Sequence, residues 1–104
     1  MHAFITHMRA KPGKRDEVIA LTTVMLEKTQ SEQGVPVYLF HTESDSPDDF
    51  WFYDLYESDD ARTAHEASEE FGKTMPALME VAELVAFTKL DPYGPMKNHP
   101  GSGS

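Results

Sequence analysis

The chain has 104 residues, of which 39% are hydrophobic and 11% aromatic, as is typical of a single globular domain. Eighteen acidic and nine basic residues give a formal net charge of −9, which disfavours binding to nucleic acid or to anionic membranes. Because there is no cysteine, disulfides, thiolate metal sites and cysteine nucleophiles are excluded. No apolar run is long enough to cross a bilayer and the N-terminus lacks a secretory signal, so we expect a cytoplasmic protein.

The first part of the chain predicts a strand followed by a helix. Residues 3–9 have the composition and alternation of a strand, and a proline–glycine turn follows at residues 11–14. Apolar residues then recur at three-to-four spacing over residues 15–32, which predicts a helix that stops at Gly34.

Two strands and a hairpin are predicted next. Residues 35–42 predict the second strand, and the aromatic residues 50–57 predict the third. Residues 43–49 between them are polar and include a proline, which is typical of a loop. We therefore expect a hairpin whose loop spans all seven polar positions.

The last part of the chain predicts helix and then strand. Ser58 is an N-cap for a helix that should break near residues 67–68 and restart under a second serine cap. Pro76 should kink the restarted helix or begin another turn. Residues 84–90 predict the final strand.

The order βαββαβ predicts a ferredoxin-like α+β fold, with a four-stranded antiparallel sheet and the helices on one face. The domain is expected to span residues 1–93, and residues 94–104, rich in Pro, Gly and Ser, are expected to form a flexible tail. The sheet face without helices carries apolar side chains, so we expect a homodimer in which a second copy covers that face.

Two polar residues stand out against apolar surroundings. Asp54 is the one carboxylate among the aromatic side chains that alternate along residues 50–57. It either reaches water or backbone near the strand end, or is a buried acid with a raised pKa. His65 lies on a helix stripe of small residues, so it is either a satisfied core histidine or a base beside space for a ligand. In the second case Asp54 is its candidate partner.

Several kinds of site are not indicated. No two histidines have the i,i+4 spacing of a helical metal site, and no glycine-rich phosphate loop or nucleophile elbow occurs. The sequence therefore predicts no metal and no cofactor.

The sequence resembles the antibiotic biosynthesis monooxygenase family over residues 3–92. The resemblance lies in the order and spacing of short matches: Lys11-Pro12-Gly13-Lys14, Gly34, Tyr38, Tyr53-Asp54-Leu55-Tyr56-Glu57-Ser58, Ala64-His65 and Phe71. It implies a dimeric α/β barrel with a ligand cavity between each sheet and its helices. The haem-degrading members match poorly, because Thr6, His65 and Met75 stand where those enzymes have Asn, Trp and a haem-ligating His.

The resemblance implies cofactor-independent monooxygenation, with dioxygen, of an electron-rich phenol, quinol or polyketide-type aromatic. His65 would be the base and Asp54 would orient it. The implied substrate-binding residues are Phe4, Thr6, Phe52, Tyr56, Arg62 and Phe71. Two alternatives stay open: a non-oxidative enzyme of the same fold, such as an isomerase of a small ketone, and a non-catalytic ligand-binding or stress-response dimer whose cavity is filled by methionines.

Overall fold

The computed structural model of the protein describes residues 1–94. The elements are β1 (His2–Ala10), α1 (Arg15–Thr29), β2 (Val37–Glu43), β3 (Ser46–Tyr56), α2 (Asp59–Glu66), α3 (Glu69–Val81) and β4 (Ala82–Leu90). Beyond Gly94, the predicted tail lies outside the described residues, so its boundary stays a prediction.

The four strands form one open antiparallel sheet in the order β2-β3-β1-β4. This arrangement confirms the predicted ferredoxin-like α+β fold. The predicted break between the second and third helices is also present, and both predicted caps form. The Ser58 hydroxyl accepts a hydrogen bond from the backbone N–H of Ala61, and the Ser68 hydroxyl accepts one from that of Phe71, each at 3.1 Å.

The predicted seven-residue loop between β2 and β3 is wrong. The turn consists of Ser44 and Asp45 alone, and β3 begins at Ser46. The polar segment continues as strand because Asp49 finds partners on neighbouring strand β1 and does not need water. Its carboxylate accepts hydrogen bonds from His7 at 2.7 Å and from Arg9 at 2.9 Å.

Pro76 was predicted to kink the restarted helix or to begin another turn, and the second alternative is wrong, because α3 continues as one element from Glu69 to Val81. Proline removes the hydrogen bond that would have reached the carbonyl of Gly72, four residues earlier. Gly72 is exposed, so water can satisfy the carbonyl that has lost its partner.

The core lies between the helices and one face of the sheet. The main buried cluster joins strand residues Met8, Phe50 and Phe52 to helix residues Val18, Leu78 and Val81, together with Ala10 and Ala82. A smaller cluster contains Phe4, Val35 and Tyr56. Within residues 1–94, no helix combines the length and the apolar character needed to cross a membrane.

Val18 and Val24 provide a matched test of this core, because both lie on α1. Val18 is completely buried, whereas Val24 is 44% exposed. We expect Val18→Ala to lower the free energy of unfolding by about 2 kcal/mol, because two buried methyl groups are lost. Val24→Ala should change it by less than about 0.5 kcal/mol. Urea denaturation measures both, and equal effects would contradict the placement of the core.

Candidate functional site

A cavity of about 210 Å³ lies between the sheet and the helices. The residues that the sequence singled out all line it: Phe4, Thr6, Phe52, Asp54, Tyr56, Arg62, His65 and Phe71. The methionines Met25, Met75 and Met79 are part of its wall and leave it open. The lining is mostly aromatic and aliphatic, with a few polar groups, which is the usual make-up of a small-molecule site.

Strand alternation brings the sheet residues to this cavity. Phe4 and Thr6 on β1 pair with Asp54 and Phe52 on β3, so these four side chains share one face. The same rule adds Tyr38, which is paired with Asp54 from the β2 side. Tyr38 lines the cavity although the sequence did not assign it to the site. The sequence could have indicated this position, because alternation along β2 places Tyr38 and Leu39 on opposite faces of the sheet.

His65 is the most enclosed polar group of the cavity, with 2% of the residue exposed. Its Nδ1 lies 2.6 Å from a carboxylate oxygen of Glu32. Three aromatic rings meet the imidazole edge-on: those of Tyr38 at 5.2 Å and of Tyr56 and Phe71 at 5.6 Å between centroids. With Nδ1 engaged by Glu32, Nε2 is the ring nitrogen left for a ligand.

The predicted orientation of His65 by Asp54 is wrong for the described structure. Asp54 instead accepts a hydrogen bond of 2.5 Å from the Tyr56 hydroxyl, its neighbour on the same face of β3. Glu32 takes the orienting position. It lies 33 residues before His65, in the connection between α1 and β2, and no pattern in the sequence links the two.

Burial dominates the electrostatics of the Asp54 carboxyl. Loss of solvent raises its pKa, while the Tyr56 hydrogen bond and the charges of His65 and Arg62 act in the opposite direction without cancelling that effect. Burial, followed by the charge of Asp54, also raises the pKa values of the Tyr38 and Tyr56 hydroxyls. Both tyrosines are therefore neutral hydrogen-bonding groups at physiological pH.

Arg62 is the cationic group of the cavity wall. Its guanidinium carbon lies 4.3 Å from the centre of the Phe4 ring, and its Nε lies 3.5 Å from Glu66 one helical turn away. The side chain is about one-third exposed. It can therefore meet both bulk water and a polar substituent of a ligand in the cavity.

A second polar cluster lies on the opposite face of the sheet. Candidate metal-ligating atoms of His7, Glu43 and Asp49 lie within 4.8 Å of one another. These groups already have partners: Asp49 binds His7, Arg9 and Ser46, and Glu43 accepts from the Trp51 indole at 2.6 Å. Hydrogen bonds, the Ser46 contact first, lower the pKa of Asp49. We interpret the cluster as a hydrogen-bonded network that joins β1, β2 and β3.

Comparison with known proteins places the chain in a family. Residues 1–77 match the family model described as antibiotic biosynthesis monooxygenase. The chain belongs to this family. No curated protein matches it.

Solved structures of the same fold are similar to this chain at low identity. A crystal structure of an antibiotic biosynthesis monooxygenase has a TM-score of 0.81 and 23% identity, covering 90% of this chain and all of that one. Rv0793 from Mycobacterium tuberculosis has a TM-score of 0.79 and 24% identity, covering 89% and 95%. A family protein from Chloroflexus aurantiacus J-10-fl has a TM-score of 0.78 and 22% identity, covering 92% and 96%. At these identities the similarity shows the fold alone.

Asp54 and Asp49 should respond oppositely to removal of their charge, although both lie on β3. Because the pKa of Asp54 is raised in the folded state, ionisation of this carboxyl above that pKa lowers the free energy of unfolding. Below the unfolded-state pKa of about 3.9 the carboxyl is mostly protonated in both states, so this penalty vanishes. Asp54→Asn should therefore raise the free energy of unfolding at pH 7.5 and change it little at pH 3.5.

Asp49→Asn is the matched control with the opposite sign. The pKa of Asp49 is lowered in the folded state, so the ionised carboxylate stabilises the fold at pH values above its unfolded-state pKa. This stabilisation is lost as the pH falls through the folded-state pKa. This variant should be less stable than the wild type at pH 7.5. Urea denaturation at both pH values measures the effects, and a destabilised Asp54→Asn variant at pH 7.5 would contradict the costly burial of that carboxylate.

Proposed function

We propose that the protein is a monooxygenase that uses dioxygen without a cofactor and acts on a small electron-rich phenol or quinol. The observation that carries the proposal is a buried histidine, held by a carboxylate, in the wall of an aromatic cavity. Membership of the antibiotic biosynthesis monooxygenase family supports monooxygenase chemistry in general. The substrate class is inferred from the cavity.

The reaction needs a base that works near neutral pH, and histidine is the side chain suited to this. The phenol O–H proton passes to Nε2 of His65. The phenolate gives one electron to dioxygen, and the resulting aryloxyl radical and superoxide join in a carbon–oxygen bond. The imidazolium returns its proton to this peroxide, which gives a hydroperoxide on the ring. The imidazole then removes the hydrogen of the oxygenated ring carbon as a proton, and a carbonyl forms at that carbon as the O–O bond breaks. The departing hydroxide takes up this proton from the imidazolium and leaves as water. The substrate supplies all four electrons, so no other reductant is required.

Cavity size favours small substrates within this class. An engineered apolar cavity of about 150 Å³ holds one benzene ring. A cavity of about 210 Å³ therefore suits one substituted ring or a compact fused pair. A polyketide-type aromatic with three or more rings would require the walls to move.

The remaining cavity residues have supporting roles in the proposal. Phe4, Phe52 and Phe71 supply flat apolar walls that hold the ring and limit water. Tyr56 and Asp54 form a hydrogen-bonded pair that faces a polar substituent of the substrate. Thr6 and Arg62 are further candidates for such contacts.

The rival functions make different predictions. A non-catalytic dimer with a methionine-filled core is disfavoured, because the methionines leave an open cavity. An isomerase of a small ketone would use the same histidine to move a proton but would not consume dioxygen. Oxygen consumption is therefore the decisive measurement.

Replacement of His65 tests the proposed base. We expect His65→Gln to lower the rate of oxygen uptake with one- and two-ring quinols by a factor of about 10² to 10⁴, the usual contribution of a positioned base. An oxygen electrode measures the rate for each substrate, and circular dichroism checks that the variant is folded.

His41→Gln is the matched control, because His41 is exposed on β2 and does not line the cavity. This variant should retain the wild-type rate. Equal rates for His65→Gln and the wild type would remove His65 from the mechanism. Turnover of a ketone without oxygen uptake would favour the isomerase.

We also propose that the protein is a cytoplasmic homodimer that buries the sheet face without helices. Apolar and aromatic side chains lie on this face: Ile5, Leu39, Trp51, Tyr53 and Leu90. Leu39 on the edge strand β2 is 53% exposed and Leu90 on the edge strand β4 is 38% exposed, so large apolar side chains are open to solvent at both edges of this face. In a twofold-symmetric dimer, each copy would cover these side chains of its partner with the same face of its own sheet.

A charge on this face should break the dimer. We expect Leu39→Arg to sediment as a monomer where the wild type sediments as a dimer, because a buried unpaired guanidinium is costly. Val24→Arg places the same charge on the exposed side of α1 and should leave the dimer intact. Sedimentation velocity distinguishes the two. A dimeric Leu39→Arg variant would show that another surface forms the contact.

A further inference from the structure

We infer that Glu32 is the positioning residue of His65, and that the close contact between Gly34 and Ala61 holds Glu32 in place. The inference rests on the proposed role of His65 as the base and specifies how that base is aimed. Glu32, Gly34 and Ala61 were not assigned to the site by the sequence, and none of the three lines the cavity.

The contact between Glu32 and His65 fixes the position of a proton. A neutral imidazole has one N–H and one lone pair, and a carboxylate only accepts hydrogen bonds. With Nδ1 2.6 Å from Glu32 Oε1, the proton lies on Nδ1 and the lone pair on Nε2. Glu32 therefore keeps His65 in the tautomer that can accept a proton from a bound phenol. The same carboxylate stabilises the imidazolium that forms during the reaction.

The surroundings of Glu32 suit this role. Its side chain is 16% exposed, so water competes weakly for the carboxylate. The second carboxylate oxygen lies 3.6 Å from the Lys28 ammonium, one turn earlier at the end of α1. Lys28 thus lies beside one carboxylate oxygen of Glu32 while the other oxygen faces the imidazole.

The backbone around Glu32 is fixed by short connections. The Glu32 N–H donates to the Thr29 carbonyl at 2.9 Å, and its carbonyl accepts from the Val35 N–H at 3.1 Å. Gly34 is in turn tied to the start of the α2 segment, because its carbonyl accepts from the Glu57 N–H at 3.0 Å. The turn that carries Glu32 is thus attached to the region that carries His65.

Gly34 permits this attachment because it has no side chain. A Cβ atom at Gly34 would lie 2.6 Å from the Cβ of Ala61, well inside the distance that two carbon atoms tolerate. Gly34 is not one of the glycines with positive φ, so an alanine there is excluded by space and not by backbone conformation. Any larger residue must push the turn, and Glu32 with it, away from α2.

Variants of Glu32 test the positioning role directly. We expect the wild-type His65 ring to be the Nδ1–H tautomer in ¹⁵N-edited NMR spectra of the imidazole at a pH where the ring is neutral. Glu32→Leu removes the acceptor and should shift the ring toward a mixture with the Nε2–H tautomer. It should also lower kcat for quinol oxidation at least about tenfold with little change in KM, since Glu32 does not line the cavity. Glu32→Gln keeps an acceptor and should retain the tautomer better than Glu32→Leu.

The Gly34–Ala61 contact allows a test by rescue. Gly34→Ala should disturb the tautomer and lower kcat although His65 and Glu32 are both present. The double variant Gly34→Ala with Ala61→Gly exchanges the two side chains and removes the clash. It should recover most of the wild-type kcat and most of the Nδ1–H tautomer. Ala61→Gly alone should lose some stability, because glycine is a poor helix former, but should keep the tautomer.

These outcomes separate the inference from the proposed function. A wild-type Nε2–H tautomer, or an unchanged tautomer and kcat in Glu32→Leu, would overturn the positioning role even if His65→Gln is inactive. Failure of Ala61→Gly to rescue Gly34→Ala would overturn the role of the close contact. If the tautomer shifts as expected but no variant affects oxygen uptake, the proposed function fails while Glu32 remains the partner of His65.

Discussion

The hydrogen bond between Glu32 and His65 is the contact on which the proposed chemistry depends. A histidine with 2% exposure must have a partner for its ring N–H, because a buried polar group without one is costly. That partner comes from the turn after α1, so the imidazole has this orientation only when this turn, α2 and the sheet are assembled together. The site is therefore a property of the tertiary fold, and no single element contains it.

The fold, and which residues line the cavity, were largely predictable from the sequence, because both follow from local rules. Alternation along β1 and β3 places Phe4, Asp54 and Tyr56 on the same face, and serine caps mark the starts of α2 and α3. The same rules bring His65 on α2 over that face. Predictions that depend on period and capping held to within a few residues of the observed boundaries.

The pairing of polar groups was not predictable, because it depends on partners far apart in the chain. Asp54 and His65 are the polar residues that stand out along the aromatic strand and the helix, but they do not pair with each other. Asp54 binds Tyr56, and His65 binds Glu32. Glu32 carried no signal, since one acidic residue after a helix is ordinary in a chain of net charge −9. The length of the hairpin loop was mispredicted for the same reason: the polar segment before Phe50 resembles a loop until Asp49 is seen to bind β1.

The position of β4 at the edge of the sheet has a consequence for how a ligand reaches the interior. Among residues 1–94, β4 pairs with β1 alone, and its residues are exposed after Ala82, yet Leu84 and Phe87 complete one wall of the cavity. An edge strand with few buried side chains opens at a lower free energy than the central strands β1 and β3. Leu84 is 50% exposed and Phe87 is 53% exposed, so these two side chains face both the hollow and the solvent. In the proposed enzyme, a ligand that entered past β4 would therefore not have to displace the turn that carries Glu32.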